Sequence, residues 1–187
     1  FMGTEFGQRR EFSEQRSIDW DLTQQWGHRG VQLLVKELNR IYRAHPALWR
    51  LDNDPAGFRW INADDSAGNV FSFLRFDGEG EIIASVINFS ADPKTDYRIG
   101  LPTEGRWTEI LNTDADLYDG SGTVGNLGQV IATDLGWNGQ PASATISVPP
   151  LGAVWFRYDP HVLDEQPEPE KADAAAQEAA RLASPGS

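Results

Sequence analysis

The spacing of apolar residues changes character along the chain and divides it into four stretches. Residues 1–27 show no period. They are polar and irregular, with charges at Arg9, Arg10, Glu11, Glu14 and Arg16, and with Phe6, Phe12, Trp20 and Trp26 interleaved. A loop of this length is functional or disordered, and the interleaved aromatics point to packing. From residue 30 the pattern turns helical. Val31, Leu34, Val35, Leu38, Ile41 and Tyr42 recur at a 3.6-residue period, while Lys36, Glu37, Asn39, Arg40 and Arg43 take the opposite face. Arg40 and Arg43 suit the negative end of a helix dipole. Pro46 ends the pattern, because the residue before a proline is pushed out of the α region. Ala47, Leu48 and Trp49 continue the apolar surface, so this helix needs something to pack on.

From residue 57 to about 158 the period drops towards two. Phe58 and Trp60 flank Arg59; NVFSFLRF (69–76) is rich in strand formers and is followed by the turn DGEG; EIIASVINF (81–89) reads as a nearly continuous apolar central strand. DYRIGL, RWTEIL, QVIAT, ATISV and GAVWFRY follow, most of them bounded by Gly, Pro, Asn or Asp. Many short strands at this spacing predict a two-sheet antiparallel β-sandwich. No long helix is available to cross between parallel strands. From Leu163 onward the chain is acidic and rich in Ala and Pro, with almost no large apolar residues. It cannot bury enough surface to offset its ordering entropy, so residues 163–187 are expected to be disordered.

Charge narrows the possible partners. The 187 residues carry a formal net charge of −12, which repels phosphate backbones and argues against nucleic-acid binding. A neutral polysaccharide meets no such barrier. No apolar run is long enough to span a bilayer. With 0 Cys there is neither a disulfide framework nor a Cys-ligated metal site, which fits a reducing cytoplasm.

Candidate chemistry is sparse. The paired carboxylates Asp19/Asp21, Asp52/Asp54, Asp64/Asp65 and Asp114/Asp116 have the composition that glycosyl transfer uses, but all sit in turn contexts where Asp serves the backbone. DNDPAG (52–57) resembles the start of a calcium loop, yet Ala63 stands where the bidentate Glu is required. His28, His45 and His161 share no ligand spacing. GSGTVGNLG (120–128) is neither a nucleophile elbow nor a phosphate loop and reads as a flexible sandwich loop. Tyr118 and Trp137 lie in loops, where aromatic rings either stack on a flat ligand or cover the sandwich edge. No catalytic residue, metal ligand or cofactor site is read from these motifs.

Two long segments resemble a known family. FMGTEFGQRREFSEQRSIDWDL followed by HRGVQLLVKELNRIYRAHPALW looks like the last barrel unit of the bacterial 1,4-α-glucan (glycogen) branching enzymes, members of the α-amylase superfamily. FRWINADDSAGNVFSFLR, VINFSADPKTDYRIGLPTEGRW, EILNTDADLYDGSGTVGN and VPPLGAVWF match their terminal sandwich. The resemblance covers residues 1–160. One departure is Phe12, where the family usually has Trp after Glu.

The resemblance implies a mainly β chain: residues 1–50 would be the end of a (β/α)8 barrel, with its last loop and helix, and residues 57–160 a C-terminal sandwich. It implies a parent enzyme that cleaves α-1,4-glucan and transfers the segment to form an α-1,6 branch. The family's catalytic Asp, Glu and Asp lie on earlier barrel strands, so a catalytic portion would precede Phe1 and this chain alone would be inactive. Glu5, Gln8, Trp20 and Trp137 become the candidate substrate-binding residues. Glycogen and the rest of the barrel become the expected partners, with no cofactor. The sandwich is expected to brace the barrel by burying the helix face and Trp49. Two alternatives stay open: a stand-alone carbohydrate-binding sandwich, and a piece of another glucan-active relative.

Overall fold

The computed structural model describes residues 1–159; the segment 163–187, expected to be disordered, lies outside the described residues. The helical pattern forms helix α1 (His28–Ala44). The chain leaves it at His45, in extended conformation before Pro46, and enters a 3-10 turn over Pro46–Leu48. Eight strands follow: β1 (Phe58–Asp65), β2 (Val70–Phe76), β3 (Ile82–Asn88), β4 (Lys94–Leu101), β5 (Gly105–Asn112), β6 (Gln129–Ala132), β7 (Ala142–Val148) and β8 (Ala153–Tyr158). Each coincides with an apolar or alternating run in the sequence.

The strands form an unclosed sandwich. One sheet has six strands in the order β1-β2-β3-β8-β5-β6, and β4 pairs with β7 in the other. Every strand pairing is antiparallel. Alternation assigns the faces. Val70, Leu74, Ala84, Val86, Trp107, Val154 and Phe156 of the large sheet meet Ile99, Leu101, Ala142, Ala144, Ile146 and Val148 of the small one in one buried core. Trp107 is fully buried there, and its indole N–H donates to the Thr103 carbonyl at 3.1 Å. That bond lets a polar ring edge sit in an apolar layer.

Strand β3 explains its own nearly continuous apolar sequence. It lies between β2 and β8, and Ile83, Ala84, Ser85 and Val86 are all buried. Ala84 and Val86 face the core between the sheets, so Ile83 and Ser85 face outward. The turn Pro46–Leu48 packs against β2 and β3 from that outer side. Polar ties fix it. Glu81 accepts from the Ala47 N–H at 3.0 Å and pairs with His45 Nδ1 at 2.6 Å. Arg75 donates to the carbonyls of Leu48 and Gly57 and pairs with Asp52.

The helix is only partly covered. Ile41 is buried, whereas Val31, Tyr42 and Trp49 are exposed. The expected burial of the helix face and Trp49 by the sandwich is therefore incomplete. A shallow cavity of about 410 Å³ beside Tyr42, Arg43 and Trp49 marks the open side. Phe1 and Met2 are exposed and belong to no strand, so the strand half of a βα unit is not formed among the described residues.

Candidate functional site

The stretch FMGTEFGQ forms a compact loop held by two left-handed glycines. Gly3 (φ +91°) and Gly7 (φ +66°) flank a 3-10 turn over Thr4–Phe6. L side chains rarely adopt such angles, and a Cβ on Gly3 would lie 2.8 Å from Gln8 Cβ. Phe6 points inward and is fully buried. Its carbonyl accepts from His28 Nδ1 at 2.9 Å, tying the loop to the first turn of α1 and fixing the proton of that imidazole on Nδ1. The Phe6 ring lies 5.6 Å from that of Trp20.

The four sequence candidates fall into different situations. Glu5 is exposed, and Oε2 accepts from the Gly3 N–H at 3.1 Å. Gln8 serves the loop itself: Oε1 accepts from the Asp19 N–H at 2.8 Å, and Nε2 donates to the Arg10 carbonyl at 2.9 Å. Trp20 is 56% exposed despite its contact with Phe6. These three share one loop region. Phe1, Met2, Thr4, Gln8, Arg10, Glu11 and Phe12 line a cleft of about 320 Å³ there. Trp137 stands elsewhere, on a tight turn closed by Trp137 and Gln140, with Asn138 and Gly139 at positive φ. It is 47% exposed, and Arg98 covers one ring face at 5.7 Å.

The carboxylate pairs resolve into local structure. Asp52 binds Arg75, Asp54 accepts from the Ala56 N–H at 2.8 Å, and Asp65 accepts from the Tyr97 hydroxyl at 2.8 Å and the Gly68 N–H at 2.7 Å. Burial first, then the Asp65 carboxylate, raise the Tyr97 phenol far above its ordinary pKa. Asp114 accepts from both the N–H and the hydroxyl of Ser121. Asp19 and Asp21 line a cleft of about 300 Å³ with Arg9 and Arg10, and Arg10 Nε lies 3.7 Å from Asp19 Oδ2. Among the described residues no group of three or more His, Cys, Asp or Glu is placed to hold a metal. No helix there is long and apolar enough to cross a membrane.

The connection that sequence reasoning missed is in the Gly-rich stretch. Residues 114–122 form a tied clasp rather than a loose loop. Gly122 donates to the Asp114 carbonyl at 2.8 Å and Gly120 to that of Ala115 at 3.2 Å. A Cβ on Gly120 would meet the Asp114 carbonyl oxygen at 2.3 Å. The clasp presses on the start of α1. Gly30 leaves room for the Tyr118 carbonyl, and Asp119 Oδ2 accepts from the Gly27 N–H at 3.0 Å. Burial raises the Tyr118 phenol, with the Glu37 carboxylate adding to the effect. The signal was present as clustered glycines, but only the contacts show why Gly120 and Gly122 leave no room for a side chain.

Residues 60–159 match the family model described as the α-amylase C-terminal all-β domain. The chain belongs to that family. The α-amylase C-terminal all-β domain accounts for both sheets and the clasp between β5 and β6. Further similarity runs beyond it. The 1,4-alpha-glucan branching enzyme GlgB of Cutibacterium acnes is 55% identical over 161 residues, which is 86% of this chain and 25% of that protein. The enzyme of the same name from Leifsonia xyli is 56% identical over 157 residues, 84% of this chain and 21% of its own length. That of Mycobacterium tuberculosis strain H37Rv is 55% identical over 157 residues, 83% and 21% respectively. The chain thus spans a quarter or less of these relatives. An alignment of that length does not fit inside the all-β domain, so the similarity includes part of the loop and helix that precede it. A carbohydrate-binding sandwich standing alone does not explain that extension.

Proposed function

We propose that this chain works as the C-terminal part of a 1,4-α-glucan branching enzyme. There, residues 1–50 complete a catalytic barrel and residues 57–160 form the sandwich that braces it. The carrying observation is similarity to branching enzymes that extends beyond the sandwich into part of the loop and helix before it. The open side of α1, with Val31, Tyr42 and Trp49 exposed, is the surface on which the rest of the barrel packs, because an amphipathic helix needs its apolar stripe covered. The loop Thr4–Phe6 faces the bound glucan, with Glu5 and Trp20 at the substrate side and Gln8 shaping the loop from behind. The catalytic carboxylates reside outside this chain. Absence of Cys fits a cytoplasmic setting.

The test joins this chain to the remaining portion of the Cutibacterium acnes enzyme, in place of that enzyme's matching region. Branching is followed by loss of iodine–amylose absorbance. The chimera is expected to branch, and the 187-residue chain alone is not. Branching by the chain alone, or an inactive chimera that is folded by circular dichroism, refutes the reading.

Trp137 supports a secondary role as a glucan-stacking residue. It is exposed on a tight turn while Arg98 lies over one face of its ring, leaving the other for a sugar. Retardation of the chain in glycogen-containing gels, lost in Trp137→Ala, is the expected result. Equal retardation in the variant removes Trp137 from the binding surface.

A further inference from the structure

Helix α1 lacks a conventional N-terminal cap. Its capping position is Gly27, at φ +79°, which has no side chain to accept from the first amides. The Arg29 N–H is taken by the Gln25 carbonyl at 3.0 Å. The N–H of Gly27 itself goes to the far end of the fold: Asp119 Oδ2 accepts it at 3.0 Å across 92 residues of sequence, the bond a capping-box carboxylate makes. The Asp119 carboxylate also meets the positive end of the helix dipole. Asp119 is itself held. Its backbone is left-handed (φ +59°) and its N–H donates to the Asp116 carbonyl at 3.0 Å, inside the clasp built by Asp114, Ser121 and the two glycines. On the other side of Gly27, His28 carries the contact onward to the Phe6 carbonyl. A continuous set of bonds therefore runs from the end of β5, where Asn112 Oδ1 accepts from the Asp114 N–H at 3.0 Å, through the clasp and the helix start into the loop that bears Glu5.

We propose that Asp119 is a positioning residue. From across the fold it accepts the N–H of the capping residue of α1, and through Gly27 and His28 it sets the loop Thr4–Phe6 on the substrate side. The sandwich thereby does more than support: it fixes the placement of a loop that sequence places over 100 positions away. The link to substrate rests on the branching-enzyme reading, whereas the bond to Gly27 does not.

The test uses amide hydrogen exchange in the 187-residue chain for Asp119→Ala and Asp119→Asn, with strand β3 as internal reference. Loss of a charge-assisted hydrogen bond costs about 1.5–3 kcal/mol, equivalent to about ten- to 150-fold in protection. That fold-loss is expected in Asp119→Ala for Thr4–Phe6 and for the first turn of α1, with β3 unchanged. Asp119→Asn keeps an acceptor oxygen and is expected to restore most of it. Unchanged loop protection in Asp119→Ala, equal loss in β3, or no rescue by Asn overturns the proposal. In the chimeric branching enzyme, Asp119→Ala is expected to lower kcat several-fold with KM within twofold. If loop protection falls but kcat does not, the loop is positioned by Asp119 without serving the reaction; if the chimera with native Asp119 is inactive, the branching reading fails on its own.

Discussion

Gly30 is the point at which helix propensity and packing make opposite predictions. It sits inside α1, where exchanging glycine for alanine ordinarily stabilises by about 1 kcal/mol. Here a Cβ would stand 2.1 Å from the Tyr118 carbonyl oxygen, 2.6 Å from its carbon and 2.8 Å from Asp119 Cβ. Backbone atoms of a tied clasp cannot swing aside, so helix and clasp must separate by roughly 1 Å or more to restore ordinary contact. Overpacking of this kind costs about 1–3 kcal/mol. The separation also breaks the charge-assisted bond from Gly27 to Asp119, worth a further 1.5–3 kcal/mol or so. The losses outweigh the propensity gain, and Gly30→Ala is expected to destabilise by about 2–4 kcal/mol. For a chain of this size that is a fall in Tm of roughly 4–16 °C. Thermal unfolding followed by ellipticity at 222 nm measures it. Asn39→Ala, at an exposed helix position, is the control and is expected to raise Tm slightly through propensity alone. A Gly30→Ala protein as stable as the parent, or more so, would refute the close approach of helix and clasp.

Three further outcomes test other layers of the fold. Trp107→Ala removes the largest fully buried side chain and its bond to Thr103, so a loss of about 3–5 kcal/mol is expected in urea unfolding; a loss under 1 kcal/mol contradicts the core assignment. Tyr97→Phe deletes the hydroxyl that donates to Asp65 and is expected to cost about 0.5–1.5 kcal/mol, read as a lower urea midpoint with an unchanged slope. Glu109 carries a pH signature. Burial raises its carboxyl above the ordinary value, although Asn126 pulls it back. Its folded pKa therefore exceeds its unfolded one, so its contribution is full below the ordinary Glu range and is lost as pH rises through the raised value. Glu109→Gln is expected to gain stability relative to the parent between acidic and neutral pH. A difference that stays flat over that range counts against it.

The strands and the helix were legible because each is written as a local period. Val31, Leu34, Leu38 and Ile41 can share one face only on a helix, and EIIASVINF tolerates burial on both sides of a sheet. The turns were legible through Gly, Asn and Asp at positions that need positive φ, such as Asn138 and Gly139. The site was less so. Gln8 has the chemistry of a ligand-binding amide, yet both ends of it are used by Asp19 and Arg10, and nothing in its neighbours' identities announces that. The stretch 120–128 has the composition of a flexible loop, and that composition is shared by any segment whose backbone must approach another closely.

By itself the sequence determined the elements, the antiparallel sandwich class and the resemblance to branching enzymes, because periodicity, turn chemistry and contiguous motifs are local properties of the chain. Only the tertiary structure decided that the sheets divide six and two, that α1 keeps part of its apolar stripe open, and that Asp119 accepts the N–H of the helix-capping residue 92 positions before it. Those facts depend on which backbones meet, and that bond in particular joins a glycine on one partner to a carboxylate on the other, two choices that look unrelated until the chain folds.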